Sequence, residues 1–193
     1  MTVKSAPKGR VRTEMPSSFD HGERATKITE EPEFIDVPEH PSVCALHDYI
    51  ERKRGSREMA DRADINPAEI AKLMPNLVIA EAVNGGDDFR VRLFGTALVE
   101  LLGEERTGKL LSEFAEESTA FSSKNPASVR RRWLYITRKA FLDRKPVFVK
   151  VPFTASDRLY LVGHTISVPL TAGGSDPAQM LGGMFVTRLD PTD

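Results

Sequence analysis

Residues 88–113 read DFRVRLFGTALVELLGEERTGKLLSE, and this stretch decides how the rest of the chain is interpreted. Over residues 89–93 three apolar side chains alternate with two arginines, which is the period of two expected of a half-buried strand. Gly95 permits a turn at the end of that strand, and a helical run over residues 97–102 follows at once. Short helical segments continue to residue 114. The pattern predicts a strand joined directly to helices, as in an α+β domain.

Strand-like and helical runs lie on both sides of this stretch. Residues 77–83 have strand character, and Asn-Gly-Gly-Asp at 84–87 supplies the turn residues that an antiparallel hairpin needs. Asn125 and Pro126 open a helix that is predicted to end near residue 143. The inward side of this helix has apolar residues at intervals of four, three and four, namely Val129, Trp133, Ile136 and Ala140. Three more strand-like runs follow, at residues 145–153, 159–170 and 180–187.

The N-terminal part of the chain divides into a polar tail and a leading helix. Residues 1–40 contain few large apolar side chains, and we expect them to form a disordered tail. Residues 41–55 are predicted to form a helix whose apolar stripe consists of Val43, Leu46 and Ile50. A second short helix is predicted to begin after Asn66 as N-cap and to end before Pro75.

The order of elements, together with INPAEIAKLMPNL, RLFGT, LLGEERTGK and the VPL ending at Leu170, resembles a family of bacterial single-domain PAS proteins. The resemblance covers residues 41–188. It implies an α+β fold: a PAS-like five-stranded antiparallel sheet with helices packed on one face and an additional N-terminal helix, in one domain over residues 41–190. It also implies a role in signalling or sensing.

Composition and motifs narrow the class of protein. Lys and Arg number 27 against 28 Asp and Glu, so no global charge attracts the chain to nucleic acid or to an anionic membrane. The one cysteine and four scattered histidines predict neither a disulfide nor a metal site. No signal peptide, membrane span or enzyme motif is recognisable. We expect a cytoplasmic protein without catalytic activity.

Five residues are predicted to line a ligand pocket between the long helix and the sheet: Phe94, Trp133, Ile136, Tyr160 and His164. Strand alternation puts His164 on the face of Ile166 and Val168, which is expected to face the helices. The histidine could hydrogen-bond a ligand there, and a core histidine satisfied by a carbonyl is the simpler alternative. Trp133 is equally interpretable as core filling.

The resemblance leaves the cofactor unknown and disfavours two candidates. The histidine that holds haem in PAS sensors usually lies in the helical region, and none of the four histidines falls between residues 95 and 143. Photoactive flavin PAS domains resemble one another in an Asn-Cys-Arg-Phe-Leu motif that this sequence lacks, and Cys44 lies in the leading helix. Haem and covalent flavin are therefore disfavoured.

Two surfaces are candidates for interaction. Leu46 and Ile50 of the leading helix suit self-association into a homodimer, and they would suit packing on the chain's own sheet equally well. Arg131, Tyr135 and Arg138 form a basic face of the helix over residues 126–143, which could grip nucleic acid or an acidic partner. Nucleic-acid binding is disfavoured because the total charge is balanced and no RNA-binding motif accompanies this face.

The sequence thus favours a non-catalytic PAS-like sensory module that binds a small ligand, a signalling protein partner, or both. Two alternatives stay open. One is a small enzyme that uses the cavity between helices and sheet, with His164 as base. The other is a nucleic-acid binder that uses the basic face of the helix over residues 126–143.

Overall fold

A sheet of five long antiparallel strands organises the part of the chain that the computed structural model describes, residues 32–114, 126–153 and 161–188. The strands are β1 (Glu33–Ile35), β2 (Ala60–Asp61), β3 (Leu77–Val83), β4 (Asp88–Phe94), β5 (Val147–Pro152), β6 (Leu161–Thr171) and β7 (Gln179–Arg188). The α-helices are α1 (Pro41–Arg54), α2 (Thr96–Leu102) and α3 (Pro126–Asp143). Short 3₁₀ helices occupy Arg62–Asp64, Pro67–Ile70, Met74–Asn76 and Leu111–Glu113.

The strand order is β1-β5-β6-β7-β3-β4. Consecutive hairpins join β5 to β6 and β6 to β7, and β7 pairs with β3 in the register Leu77 to Gly183. The predicted five-stranded antiparallel sheet is therefore confirmed. Two shorter strands extend it: β1 pairs antiparallel with β5, and β2 pairs parallel with the end of β6. Strands of three and two residues are too short for a period of two to reveal them.

The boundary of the predicted tail needs correction. Residues 1–31 lie outside the described residues, but Phe34 in β1 pairs with Val149 of β5. Glu39 forms an ion pair with Lys150 at 2.6 Å, and the side chain of His40 caps α1 by accepting a hydrogen bond from the backbone N–H of Ser42. The folded part of the chain therefore begins before residue 40.

Helices cover both faces of the sheet. On one face α2 and α3 enclose a core that includes Phe89, Val91 and Ile136. On the other face α1 packs its stripe against β3, β6 and β7, so that Leu46 and Ile50 are only 0% and 1% exposed. The prediction that these two residues form a surface for self-association is therefore wrong, because the chain's own sheet already covers them.

The junction between β4 and α2 brings two parts of the backbone very close together. Gly95 is the N-cap of α2, and its N–H donates to the carbonyl oxygen of Leu77 at 2.9 Å. A Cβ atom on Gly95 would lie 2.2 Å from the carbonyl oxygen of Pro75. The predicted turn at Gly95 is therefore confirmed, but its physical reason is close approach to the 3₁₀ helix Met74–Asn76.

Local capping explains the segment between α1 and β3. The side chain of Asn66 accepts a hydrogen bond from the N–H of Ala68, as expected for an N-cap. The helix that it begins is a 3₁₀ helix of four residues, Pro67–Ile70, instead of a longer α-helix. A second 3₁₀ helix then contains Pro75 and leads directly into β3. The segment fixes the start of the first central strand.

Candidate ligand cavity

A cavity lies between the sheet and the pair α2 and α3. Its volume, counted as the space open to the centre of a water molecule, is about 50 Å³. A single buried water needs about 10–15 Å³ by this measure, so the cavity has room for a few waters or a small alkyl group. Its described walls come from β3, β4, β6, β7, α2, α3 and the 3₁₀ helix after α2, and include Val78, Leu98, Leu102, Leu111, Phe114, Met180 and Met184.

Small side chains on two neighbouring strands create this space. The cavity side of β6 carries Thr165 and Ser167, and the cavity side of β7 carries Gly182. A Cβ atom on Gly182 would have ordinary contacts, the nearest atoms being 3.7 Å away. The cavity therefore exists because the sheet presents short side chains opposite the larger ones of α3.

The wall of the cavity is apolar apart from a few hydroxyl groups. Thr137, Thr165 and Ser167 contribute these hydroxyls, and that of Thr165 donates to the carbonyl oxygen of Val149 at 3.2 Å. Among the described lining residues no side chain ionises at neutral pH. The described part of this wall suits a small uncharged apolar group with one hydrogen-bonding atom.

The structure brings together three of the five predicted pocket residues. Phe94 lines the cavity from β4, and Trp133 and Ile136 line it from α3. Tyr160 lies outside the described residues. Whether these residues contact a ligand stays a prediction.

His164 does not belong to this group, and its predicted position is wrong. Its ring lies on the α1 side of the sheet, 5.3 Å from the ring of His40. Both faces of β6 are covered by helices, so its alternation alone could not show which face meets α2 and α3. The more apolar face, with Ile166 and Val168, packs beneath α1.

The surroundings of His164 favour an uncharged ring. Its Nε2 lies 2.6 Å from Oγ1 of Thr187. Burial lowers the pKa of His164, and the neighbouring His40 and Lys150 lower it further, while Glu39 acts in the opposite direction. Burial also lowers the pKa of His40. Because the sheet separates His164 from the cavity, the histidine cannot act as a base there.

The predicted basic face of α3 is partly neutralised. Arg138 forms an ion pair with Asp87 at 3.3 Å, and Lys139 pairs with Asp143 one helical turn away at 2.7 Å. Tyr135 is 57% exposed. The side chain of Arg131 lies outside the described residues. No observation on the described part of this face therefore favours nucleic-acid binding over an ordinary solvated helix surface.

Sequence reasoning missed most of the cavity wall. It did not identify Thr137, Ser167 or Gly182, nor the methionines Met180 and Met184 on β7. A signal for the β7 residues existed in the sequence: Met180, Gly182 and Met184 are two residues apart, which places them on one face of a strand. The pairing of β7 between β6 and β3, which makes that face central, could not be inferred from spacing.

Within residues 32–114, 126–153 and 161–188, no group of three or more His, Cys, Asp or Glu side chains is arranged to hold a metal ion. No helix in the same ranges is long and apolar enough to cross a membrane.

Comparison with known proteins identifies the family. The chain matches the family described as PAS domain over residues 38–185, which is most of its length, and it therefore belongs to that family. PAS domains are a class of sensory and signalling modules that commonly bind small ligands or protein partners. The five-stranded sheet with helices on its faces is the fold of this class.

Two solved structures are similar to the chain at low sequence identity. One concerns a Light-Oxygen-Voltage domain with a flavin analogue, with 14% identity, a TM-score of 0.40, and coverage of 62% of this chain and 82% of that chain. The other is an RNA-binding Light-Oxygen-Voltage receptor, with 12% identity, a TM-score of 0.44, and coverage of 81% and 38% respectively. No curated protein matches the chain.

Proposed function

We propose that this PAS domain is a non-catalytic sensory module that binds a small, mainly apolar ligand in the cavity between the sheet and α3. The single observation that carries the proposal is the cavity itself, an apolar space with hydroxyl groups from Thr137 and Ser167 on its wall. Most protein interiors are packed without voids of this size, so an apolar space with a few polar groups suggests an occupant.

The same geometry suggests how occupancy would reach the surface. Trp133, Ile136 and Thr137 of α3 line the cavity, while Tyr135 and Leu142 on the same helix are exposed. A ligand that wedges between α3 and the sheet would move or stiffen the helix that presents these exposed side chains. A protein partner that reads this surface would then respond to the ligand through differential affinity for the two arrangements.

A variant that fills the cavity tests the proposal. Replacing Gly182 with Val puts an isopropyl group into the space, and the strand backbone there tolerates a Cβ atom without close contacts. The matched control is Gly174→Val, because Gly174 has no atom within 4 Å of a Cβ position. Native mass spectrometry of the three purified proteins would show whether a small molecule co-purifies with each.

We expect a bound small molecule with the unchanged protein and with Gly174→Val, and none with Gly182→Val. If the protein purifies empty, the same comparison is made by adding 1-pentanol and measuring its affinity. An unchanged affinity in Gly182→Val would show that binding occurs elsewhere and would contradict the proposal. So would the absence of any binding to all three proteins.

A further inference from the structure

Arg106 is a charged residue in an unusual position, because it is only 1% exposed. It lies in the loop between α2 and the 3₁₀ helix Leu111–Glu113. Burial lowers the pKa of this guanidinium, which reflects the cost of removing its charge from water. A buried charge is normally paired and fully hydrogen-bonded, because an unpaired one is strongly destabilising.

Glu104 forms an ion pair with Arg106, but the guanidinium of Arg106 is not fully hydrogen-bonded. No described residue accepts a hydrogen bond from Nε or from Nη2. These two nitrogens form one edge of the planar guanidinium, and their N–H bonds point in the same direction. That edge is the one with which arginine binds a carboxylate through two parallel hydrogen bonds. These two N–H groups are therefore arranged to donate to both oxygens of a carboxylate.

Glu104 does not fill this site. Its Oε2 lies 3.4 Å from Nε of Arg106, while its Oε1 pairs with Nζ of Lys109. Glu105 does not fill it either, because its Oε1 accepts hydrogen bonds from the backbone N–H groups of Arg106 and Thr107, both at 2.8 Å. Neither neighbouring carboxylate is thus hydrogen-bonded to the open edge of the guanidinium.

The site adjoins the cavity. The guanidinium lies over the ring of Phe114, with Cζ 4.3 Å from the ring centroid. Phe114 and Leu111 both line the cavity. Phe114 therefore contacts both the apolar space and a buried cation, two of whose nitrogens have no hydrogen-bond acceptor among the described residues.

We propose that the ligand of this domain is an apolar molecule that ends in a carboxylate, whose apolar part occupies the cavity and whose carboxylate pairs with Nε and Nη2 of Arg106. Phe114 would have to turn aside to connect the two. This inference rests on the proposed function. A carboxylate fits better than a phosphate, because one guanidinium neutralises a monoanion, whereas a dianion would leave net charge buried.

The test compares two probes that differ only in the end group, pentanoate and 1-pentanol. Trp133 is the only tryptophan in the chain and lines the cavity, so its fluorescence reports binding to the full-length protein. We expect pentanoate to bind at least about tenfold more tightly than 1-pentanol, the smallest gain that a hydrogen bond to a charged group gives. Arg106→Leu should remove this difference between the two affinities.

Two further variants keep the test decisive. Arg90→Leu removes a nearby cation whose Nη1 donates to the carbonyl oxygen of Gly108 in the same loop. This cation takes no part in the Glu104 ion pairs, so the variant should preserve the preference for pentanoate, since a general charge effect is not the cause. If Arg106→Leu fails to fold, Arg106→Lys keeps the charge but loses the planar pair of donors, and it should reduce the preference.

The outcomes separate this inference from the proposed function. Equal affinities for the two probes, or a preference that is undiminished in the Arg106 variants, would overturn the role of Arg106 and leave the cavity as a ligand site. Failure of 1-pentanol to bind at all would count against the cavity, and thus against both. A preference that disappears in Arg90→Leu as strongly as in Arg106→Leu would also overturn the inference.

Discussion

Gly95→Ala is the substitution whose effect follows most directly from the geometry of the fold. Gly95 has φ −66° and ψ 146°, a conformation that alanine adopts without strain. Its added Cβ atom, however, would lie 2.2 Å from the carbonyl oxygen of Pro75 and 2.7 Å from that of Met74. Ordinary contacts begin at 3.4 Å, and the opposing atoms belong to the backbone, so no side chain can rotate away.

These distances set the expected loss in the free energy of unfolding. The 3₁₀ helix Met74–Asn76 and the start of α2 must separate by more than 1 Å, which strains the hydrogen bond from Gly95 N–H to the Leu77 carbonyl oxygen. Overpacking costs about 1–3 kcal/mol, and loss of that hydrogen bond adds about 1 kcal/mol. We therefore expect a loss of about 2–4 kcal/mol in the free energy of unfolding, or roughly 5–15 °C in Tm.

Urea unfolding followed by circular dichroism measures this difference. Gly174→Ala is the control, because its Cβ atom would meet nothing within 4 Å and its φ is not in the left-handed region. The control should unfold within about 0.5 kcal/mol of the unchanged protein. If Gly95→Ala changed the free energy of unfolding as little as the control does, the close approach of α2 to the 3₁₀ helix would be refuted.

Two more predictions concern α1. Leu46→Ala should lower the free energy of unfolding by about 2–5 kcal/mol, because it empties a fully buried position. The control Val37→Ala, at a residue that is 71% exposed, should change it little. Equal effects of the two substitutions in urea unfolding would contradict the packing of α1 on the sheet. The second prediction concerns pH. Nδ1 of His40 accepts the Ser42 N–H only when it is unprotonated, and the pKa values of His40 and His164 are both lowered by folding. The unfolded chain therefore binds more protons, and stability should decrease as the pH falls below about 6.5. His40→Asn keeps a capping oxygen without a titrating ring, so it should weaken this dependence in urea unfolding at several pH values; an unchanged dependence would contradict the assignment.

Much of the fold could be predicted because its signals are local. The period of two in β4, the turn residues at 84–87 and the apolar spacing of α3 each fix one element, and their order indicates the PAS arrangement. The additional strands β1 and β2 could not be predicted, because their pairing depends on β5 and β6, which are distant in sequence. Short segments gain their structure from such partners instead of from their own pattern.

The candidate site was less predictable, and His164 shows why. A strand covered on both faces gives no indication of which helix meets which face, so alternation assigned His164 to the wrong side. The same limit applied to Leu46, whose stripe was compatible with either a partner chain or the chain's own sheet. Arg106 gave no signal at all, because a lone arginine in a charged loop is expected to be exposed.

Ligand binding in the cavity is tested most directly by NMR. The methyl signals of the methionines are recorded on the full chain during a titration with 1-pentanol. Met180 and Met184 line the cavity, while Met59 is buried outside it and serves as an internal control. We expect the methyl signals of Met180 and Met184 to shift in a saturable way, and the signal of Met59 to stay unmoved. Unmoved signals for Met180 and Met184, or shifts of the same size at Met59, would contradict a specific ligand site in the cavity.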